Sequence, residues 1–206
     1  MEYYIYNIPV FVTSPLQKGV EISEFCSSVE EYMAPELLDN IDIVYIGDFP
    51  ELNGRNATYA NDAVYMTSKE PSVFDMLENF IHEVAHALEK KYENLIHNSA
   101  LREEFLGKRE KLRHLLNAEG YHINPLLYQY TEYNQQFDEF LANEVGYPTL
   151  VMLTMGLFVS PYGATSLPEY FANGFEKYFL DTPSVVAKTS PILYQVITEI
   201  VDDATA

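Results

Sequence analysis

Apolar residues follow two periods along the chain, and the change from one to the other divides it. Tyr3 to Thr13 is rich in aromatic and β-branched residues and predicts a strand ended by Ser14-Pro15. Ile22, Phe25, Cys26, Val29, Tyr32 and Met33 recur at helical spacing, so an amphipathic helix is expected over 20–33, before Pro35. Ile41 to Ile46 predicts a second strand, closed by Gly47 and Asp48. The segment 49–61 carries turn signals in Pro50, Asn53-Gly54 and Asn61, and Ala63 to Thr67 reads as a short strand at a sheet edge. Beyond residue 70 the period becomes helical. Ser72 with Asp75 resembles a capping box, and a helix is expected from there to about Leu95. Further helices are predicted over 100–117, 135–145, 149–158 and 167–179, the last with Ser166 as N-cap and Pro168 in its first turn. A final helix runs from Ser190-Pro191 to about Asp202. The expected fold is α+β: a small mixed N-terminal β-sheet with one helix, then a mainly helical C-terminal part. It forms one domain over 1–206, sheet-rich to residue 70 and helical from 71.

One helix carries more than packing. In Phe80-Ile81-His82-Glu83-Val84-Ala85-His86-Ala87-Leu88 the two histidines are four apart, which puts them on one helical face. Two neutral imidazoles so placed can both donate to one zinc ion, and Glu83 lies one step round the helix, where a general base for an activated water belongs. This is the His-Glu-x-x-His signature of zinc metalloproteases. The flanking residues are apolar, so the helix is expected to be buried while carrying three polar groups that need partners. The competing reading is a half-exposed helix with two surface histidines.

A catalytic zinc needs a third protein ligand. Two similar segments compete for that role, Glu139-Phe140-Leu141-Ala142-Asn143 and Glu169-Tyr170-Phe171-Ala172-Asn173. Glu169 sits in the first turn of a capped helix, and Tyr162 stands seven residues before it in a Pro-Tyr-Gly loop. Glu139 remains a rival.

Taken together, His82-Glu83-Val84-Ala85-His86, Tyr162-Gly163 and Pro168-Glu169-Tyr170-Phe171-Ala172 resemble the catalytic domain of the anthrax lethal factor-like zinc metallopeptidases. The resemblance spans roughly 63–179, with distinct motifs only at its two ends. It implies a zincin-like fold and one catalytic Zn2+ held by His82, His86 and Glu169. It also implies Glu83 as base and Tyr162 as a donor to the oxyanion, with a peptide or protein as substrate. Two departures stand out. Asn173 occupies the place of the family's second acidic residue, where a hydrogen bond to a ligand histidine would be altered, and the stretch between the motifs is long. A catalytically inactive zincin-like binding or assembly protein is the alternative. On the peptidase reading, the strand 63–67 would offer its free edge to an extended peptide.

Charge and composition narrow the partners. The net charge of -19 argues against a nucleic-acid backbone; it would favour cationic partners, and is most simply an acidic solvated surface. Five basic residues, Arg102, Lys108, Arg109, Lys111 and Arg113, nevertheless cluster in the helix expected over 100–117, most simply as a solvated face. The single cysteine, Cys26, excludes an internal disulfide and is expected to be buried. His97, His114 and His122 are isolated and expected at the surface. The longest apolar run, 150–159, is too short to span a bilayer, and no signal peptide is visible, so the expected compartment is the cytoplasm, with a mature secreted form as the alternative. The sequence does not fix the oligomeric state.

Overall fold

The computed structural model describes residues 2–206 and is α+β, with a small mixed sheet at the N-terminus followed by a mostly helical part. The chain resolves into two compact units, one running to Lys91 and joined by Val201–Ala206, the other spanning Tyr92–Ile200.

The first unit holds a five-stranded sheet in the order β1-β2-β3-β5-β4. Strands β1 (Tyr3–Ile5) and β2 (Ile8–Val12) form a tight hairpin where a single strand was expected. Tyr6 takes the left-handed conformation (φ 52°) between them, which no hydrophobic pattern reveals. Strands β2, β3 (Ile43–Ile46) and β5 (Ala63–Met66) are parallel neighbours. Strand β4 (Ala57–Ala60) returns antiparallel to β5 through the two-residue turn Asn61-Asp62, both at positive φ. Ala63 to Met66 is therefore not an edge strand. The edge is β4, which hides in a stretch dominated by turn residues.

Helices α1 (Ile22–Tyr32) and α2 (Val73–Glu89) pack together, α1 reaching β1 and α2 reaching β4 and β5. Val10, Val44, Ile46, Val64 and Met66 from the sheet are buried, as are Phe25, Val29, Met76 and Phe80 from the helices. The Phe25 and Phe80 rings meet edge to face at 5.7 Å. Cys26 is buried, and burial pushes its thiol up to about 11. Ser72 caps α2 by accepting the Asp75 N–H at 3.1 Å, and the helix ends at Glu89, short of the expected Leu95. Lys90 and Lys91 are exposed just beyond it.

The second unit is helical: α3 (Glu93–Ile96), α4 (Ser99–Ala118), α5 (Gln135–Glu139), α6 (Tyr147–Thr154), α7 (Leu167–Leu180), α8 (Pro183–Thr189) and most of α9 (Pro191–Ala204). The helix expected over 135–145 changes after Glu139 to a π-helical turn, Phe140–Gly146, ended by Gly146 at φ 81°. The basic character of α4 is not a solvated face throughout. Arg109 is fully buried, its guanidinium donating to the Tyr130 carbonyl at 2.5 Å and the Leu127 carbonyl at 2.9 Å while lying 4.0 Å from the Phe137 ring centre. Lys108 donates to the carbonyls of Leu157 and Thr189 at 2.6 and 2.7 Å, and burial pulls its ammonium down to about 8. Glu104, on the same helix, accepts the Tyr170 hydroxyl and the N–H groups of Ile192 and Leu193, capping α9 from outside. The cations and the carboxylate of α4 thus satisfy loop carbonyls and a helix start. Leu115 of the same helix is 41% exposed.

Buried phenols make this unit sensitive to alkali. Tyr128 is 3% exposed with no partner for its hydroxyl among the described residues, and burial pushes it up to about 12. Tyr170 is raised as well, by burial first and then by the Glu104 carboxylate. A tyrosine in the unfolded chain titrates near ~10, so above that pH the unfolded state releases protons that the fold retains. The stability these groups contribute is complete below pH ~10 and lost as pH rises toward their folded values. Tyr128→Phe removes an unpaired buried hydroxyl and is expected to leave stability near pH 7 unchanged or slightly raised. Its decline above pH ~10 should be shallower than that of the wild type. Urea unfolding across this range checks both, and a steeper alkaline decline in Tyr128→Phe would refute the assignment.

Candidate metal centre

Helix α2 carries the first two donors. His82 and His86 are half-buried on one face, their rings at 5.0 Å between centres and their Nε2 atoms 3.3 Å apart. Two nitrogens bound at about 2.0–2.1 Å to a tetrahedral centre lie roughly 3.3–3.4 Å apart, so this spacing suits two corners of a zinc tetrahedron. The orientation of His86 is fixed from behind. Its Nδ1 lies 2.5 Å from Glu89 Oε1. A carboxylate can only accept, so the proton sits on Nδ1, and in the neutral ring the lone pair is left on Nε2, facing His82. Glu89 lies outside the His-Glu-x-x-His signature but contacts a candidate ligand. The signal was present: a carboxylate three residues after a candidate ligand, one turn along the same face.

Glu83 points elsewhere. It is 8% exposed, and its Oε2 accepts the backbone N–H of Tyr59 at 2.7 Å. That N–H belongs to β4, faces away from β5 and takes no part in the sheet ladder. Tyr59 is itself anchored, its hydroxyl lying 3.0 Å from both the Asn40 carbonyl and Asp62 Oδ1. The edge strand therefore holds one carboxylate oxygen of the candidate base and leaves the other uncommitted to it.

Glu169 is in the first turn of α7, its N–H donating to Ser166 Oγ at 3.2 Å. His82, His86 and Glu169 each offer one ligand atom, and these atoms all lie within 4.8 Å of one another. The three form a possible metal site. Glu139 is exposed, accepts from Gln135 Nε2 at 2.8 Å and belongs to no such group among the described residues. Of the other histidines, His97 is exposed, His114 lies 3.0 Å from Glu110, and His122 lies 3.0 Å from Asn117 at the surface.

Tyr162 opens a short 3-10 turn, Tyr162–Ala164, immediately before α7. Asn173 fastens this turn to the helix. Its Nδ2 donates to the Glu169 carbonyl at 2.8 Å, its Oδ1 accepts the Ser160 hydroxyl, and Ser160 Oγ in turn receives the Gly163 N–H at 3.4 Å. Gly163 is packed against α7 closely enough that a Cβ there would lie 3.6 Å from Tyr170 Cα and 3.7 Å from Asn173 Cβ. Asn173 is 6% exposed, and its amide joins the turn bearing Tyr162 to the helix bearing Glu169.

No protein-family model, no curated protein and no solved structure matches this chain. The resemblance to the lethal factor-like peptidases rests on its motif residues alone.

Asn173→Ala removes the acceptor of the Ser160 hydroxyl and the side-chain donor to the Glu169 carbonyl, and an expected loss of about 1–3 kcal/mol should appear in denaturant unfolding. Amide exchange at Gly163 should quicken by more than global destabilisation explains. Unchanged exchange there would show that the turn is held by other contacts.

Proposed function

We propose that the chain is a zinc-dependent endopeptidase with His82, His86 and Glu169 as metal ligands, Glu83 as general base and Tyr162 as oxyanion donor. The observation that carries this reading is the 3.3 Å approach of the two Nε2 atoms, with a carboxylate of α7 completing the group. Two imidazoles and one carboxylate leave a fourth tetrahedral position open, the pattern of catalytic rather than structural zinc. When bound there, zinc supplies Lewis acidity, lowering the pKa of a water toward ~7 and polarising the scissile carbonyl.

The protein groups divide the remaining work. Glu83 accepts the proton of the attacking water on the oxygen not engaged by the Tyr59 N–H, then passes it to the leaving amine. The Tyr162 hydroxyl donates to the oxygen on which charge develops. Glu89 keeps the His86 lone pair aimed at the metal. A peptide or protein is the substrate on this reading. Among the described residues no helix is long and apolar enough to cross a membrane.

Zinc analysis alongside a peptide-library digest tests the assignment. Wild-type protein purified without chelator should hold about one zinc per chain, and His82→Ala, His86→Ala and Glu169→Ala should lose it. Glu83→Gln should retain zinc and fold while turnover falls by about 10²–10⁴. Stoichiometric zinc in His82→Ala would sink the site, and full activity in Glu83→Gln would sink the mechanism.

Glu89 gives a separate expectation. Glu89→Ala should weaken zinc binding roughly 10- to 100-fold, as loss of an outer partner of a ligand histidine does. Glu89→Gln, which still offers an acceptor to the Nδ1–H, should recover part of that loss. Competition with a chromophoric chelator measures it, and wild-type affinity in Glu89→Ala would remove Glu89 from the site.

A further inference from the structure

A second pocket lies in the first unit, and none of the residues lining it belongs to the metal centre. It is open, about 720 Å³ in volume, and sits past the C-terminal ends of the parallel strands β3 and β5. The loops that follow these two neighbouring strands, residues 48–56 and 67–71, supply its walls. Four charged residues line it, and two cancel: Lys69 Nζ and Asp48 Oδ1 form an ion pair at 2.7 Å. One acid and one base remain.

The acid is Glu70. It is only 5% exposed, its Oε1 accepts from Asn79 Nδ2 at 2.9 Å, and its second oxygen meets no donor among the described residues. That oxygen is not sealed from solvent, so it is open to a solute in the pocket. Burial, with the nearby Asp75 and Glu78 carboxylates, already pushes Glu70 above the usual carboxylate range, and a cation in the pocket would relieve both effects. The base is Arg55, exposed at the rim, whose guanidinium makes no hydrogen bond or ion pair among the described residues. Phe49 and Leu52 supply an apolar wall, and the Phe49 ring is braced edge-on against Tyr65 at 5.5 Å.

We propose that this pocket binds a small zwitterion bearing a free ammonium, a free carboxylate and an apolar side chain, as in a free amino acid or a short peptide. The ammonium takes the open oxygen of Glu70, the carboxylate takes Arg55, and the side chain packs on Phe49 and Leu52. The site is independent of the metal centre and does not rest on the peptidase reading.

Calorimetric titration of the full chain with L-leucine and with leucyl-leucine tests it. At least one should bind in the millimolar range or tighter, and which one does reports the span between the two charged groups. Acetylating its amine or amidating its carboxylate should each weaken binding by about tenfold or more. Glu70→Gln should abolish the preference for a free amine, and Arg55→Ala the preference for a free carboxylate. Glu70 is buried, so circular dichroism must show that its variant folds. Arg55 is exposed, and its variant carries the test alone if Glu70→Gln does not fold. Absence of binding by both ligands overturns the proposal. So does equal binding of the amidated form, which would mark a site for cations only, and so does wild-type selectivity in Arg55→Ala.

Discussion

A helix buried along most of its length cannot carry two imidazoles and a carboxylate unless each finds a polar partner, and this requirement organises the residues around α2. Leaving one such group unpaired would remove about 1–3 kcal/mol from a fold whose whole margin is of the order of 5–15. Each has a separate solution. Glu83 takes the one kind of donor that an edge strand leaves over, a backbone N–H facing away from the sheet. His86 takes Glu89 on its own helix. His82 Nε2 and His86 Nε2 face each other at 3.3 Å, an approach made favourable by a proton on one of them or by a metal between them.

The elements were legible in the sequence wherever one period ran unbroken. Helices α1, α4, α7 and α9 stand within about two residues of their expected bounds, since caps at Asn98 and Ser166 and prolines at 168 and 191 mark them locally. What was not legible depended on single backbone conformations or on distant partners. The left-handed Tyr6 splits one apparent strand into a hairpin. Strand β4 is short and polar, with Thr58 and Tyr59 between turn residues, and only its pairing with β5 defines it. Arg109 and Lys108 look like surface cations in any window of sequence, because the carbonyls they satisfy lie 18 to 81 residues away.

The site shows the same division. Histidines four apart on an apolar helix announce themselves, because both their chemistry and their geometry are local. The choice between Glu139 and Glu169 is not local. Both segments read alike: Glu139 is exposed and accepts from Gln135, whereas Glu169 is grouped with His82 and His86 as a possible metal site. Asn173 is instructive in another way. It departs from the lethal factor-like pattern where a hydrogen bond to a ligand histidine would be altered, and here its amide donates to the Glu169 carbonyl and accepts from Ser160. An amide carries both a donor and an acceptor, so it can join a helix carbonyl to a hydroxyl, which a carboxylate cannot do without a proton.

The hold of β4 on Glu83 constrains the peptidase reading further. An extended peptide laid along this edge would form a ladder with the outward-facing groups of β4. The Tyr59 N–H is already committed to Glu83, so the ladder lacks that one donor, and the peptide must be fixed by other groups of the strand. The same bond holds one oxygen of Glu83 against the strand and leaves the other free to take a proton. Positioning the base and receiving the substrate would then fall to a single short strand. The Tyr59 hydroxyl, 3.0 Å from the Asn40 carbonyl and from Asp62 Oδ1, would hold that strand in place for both tasks.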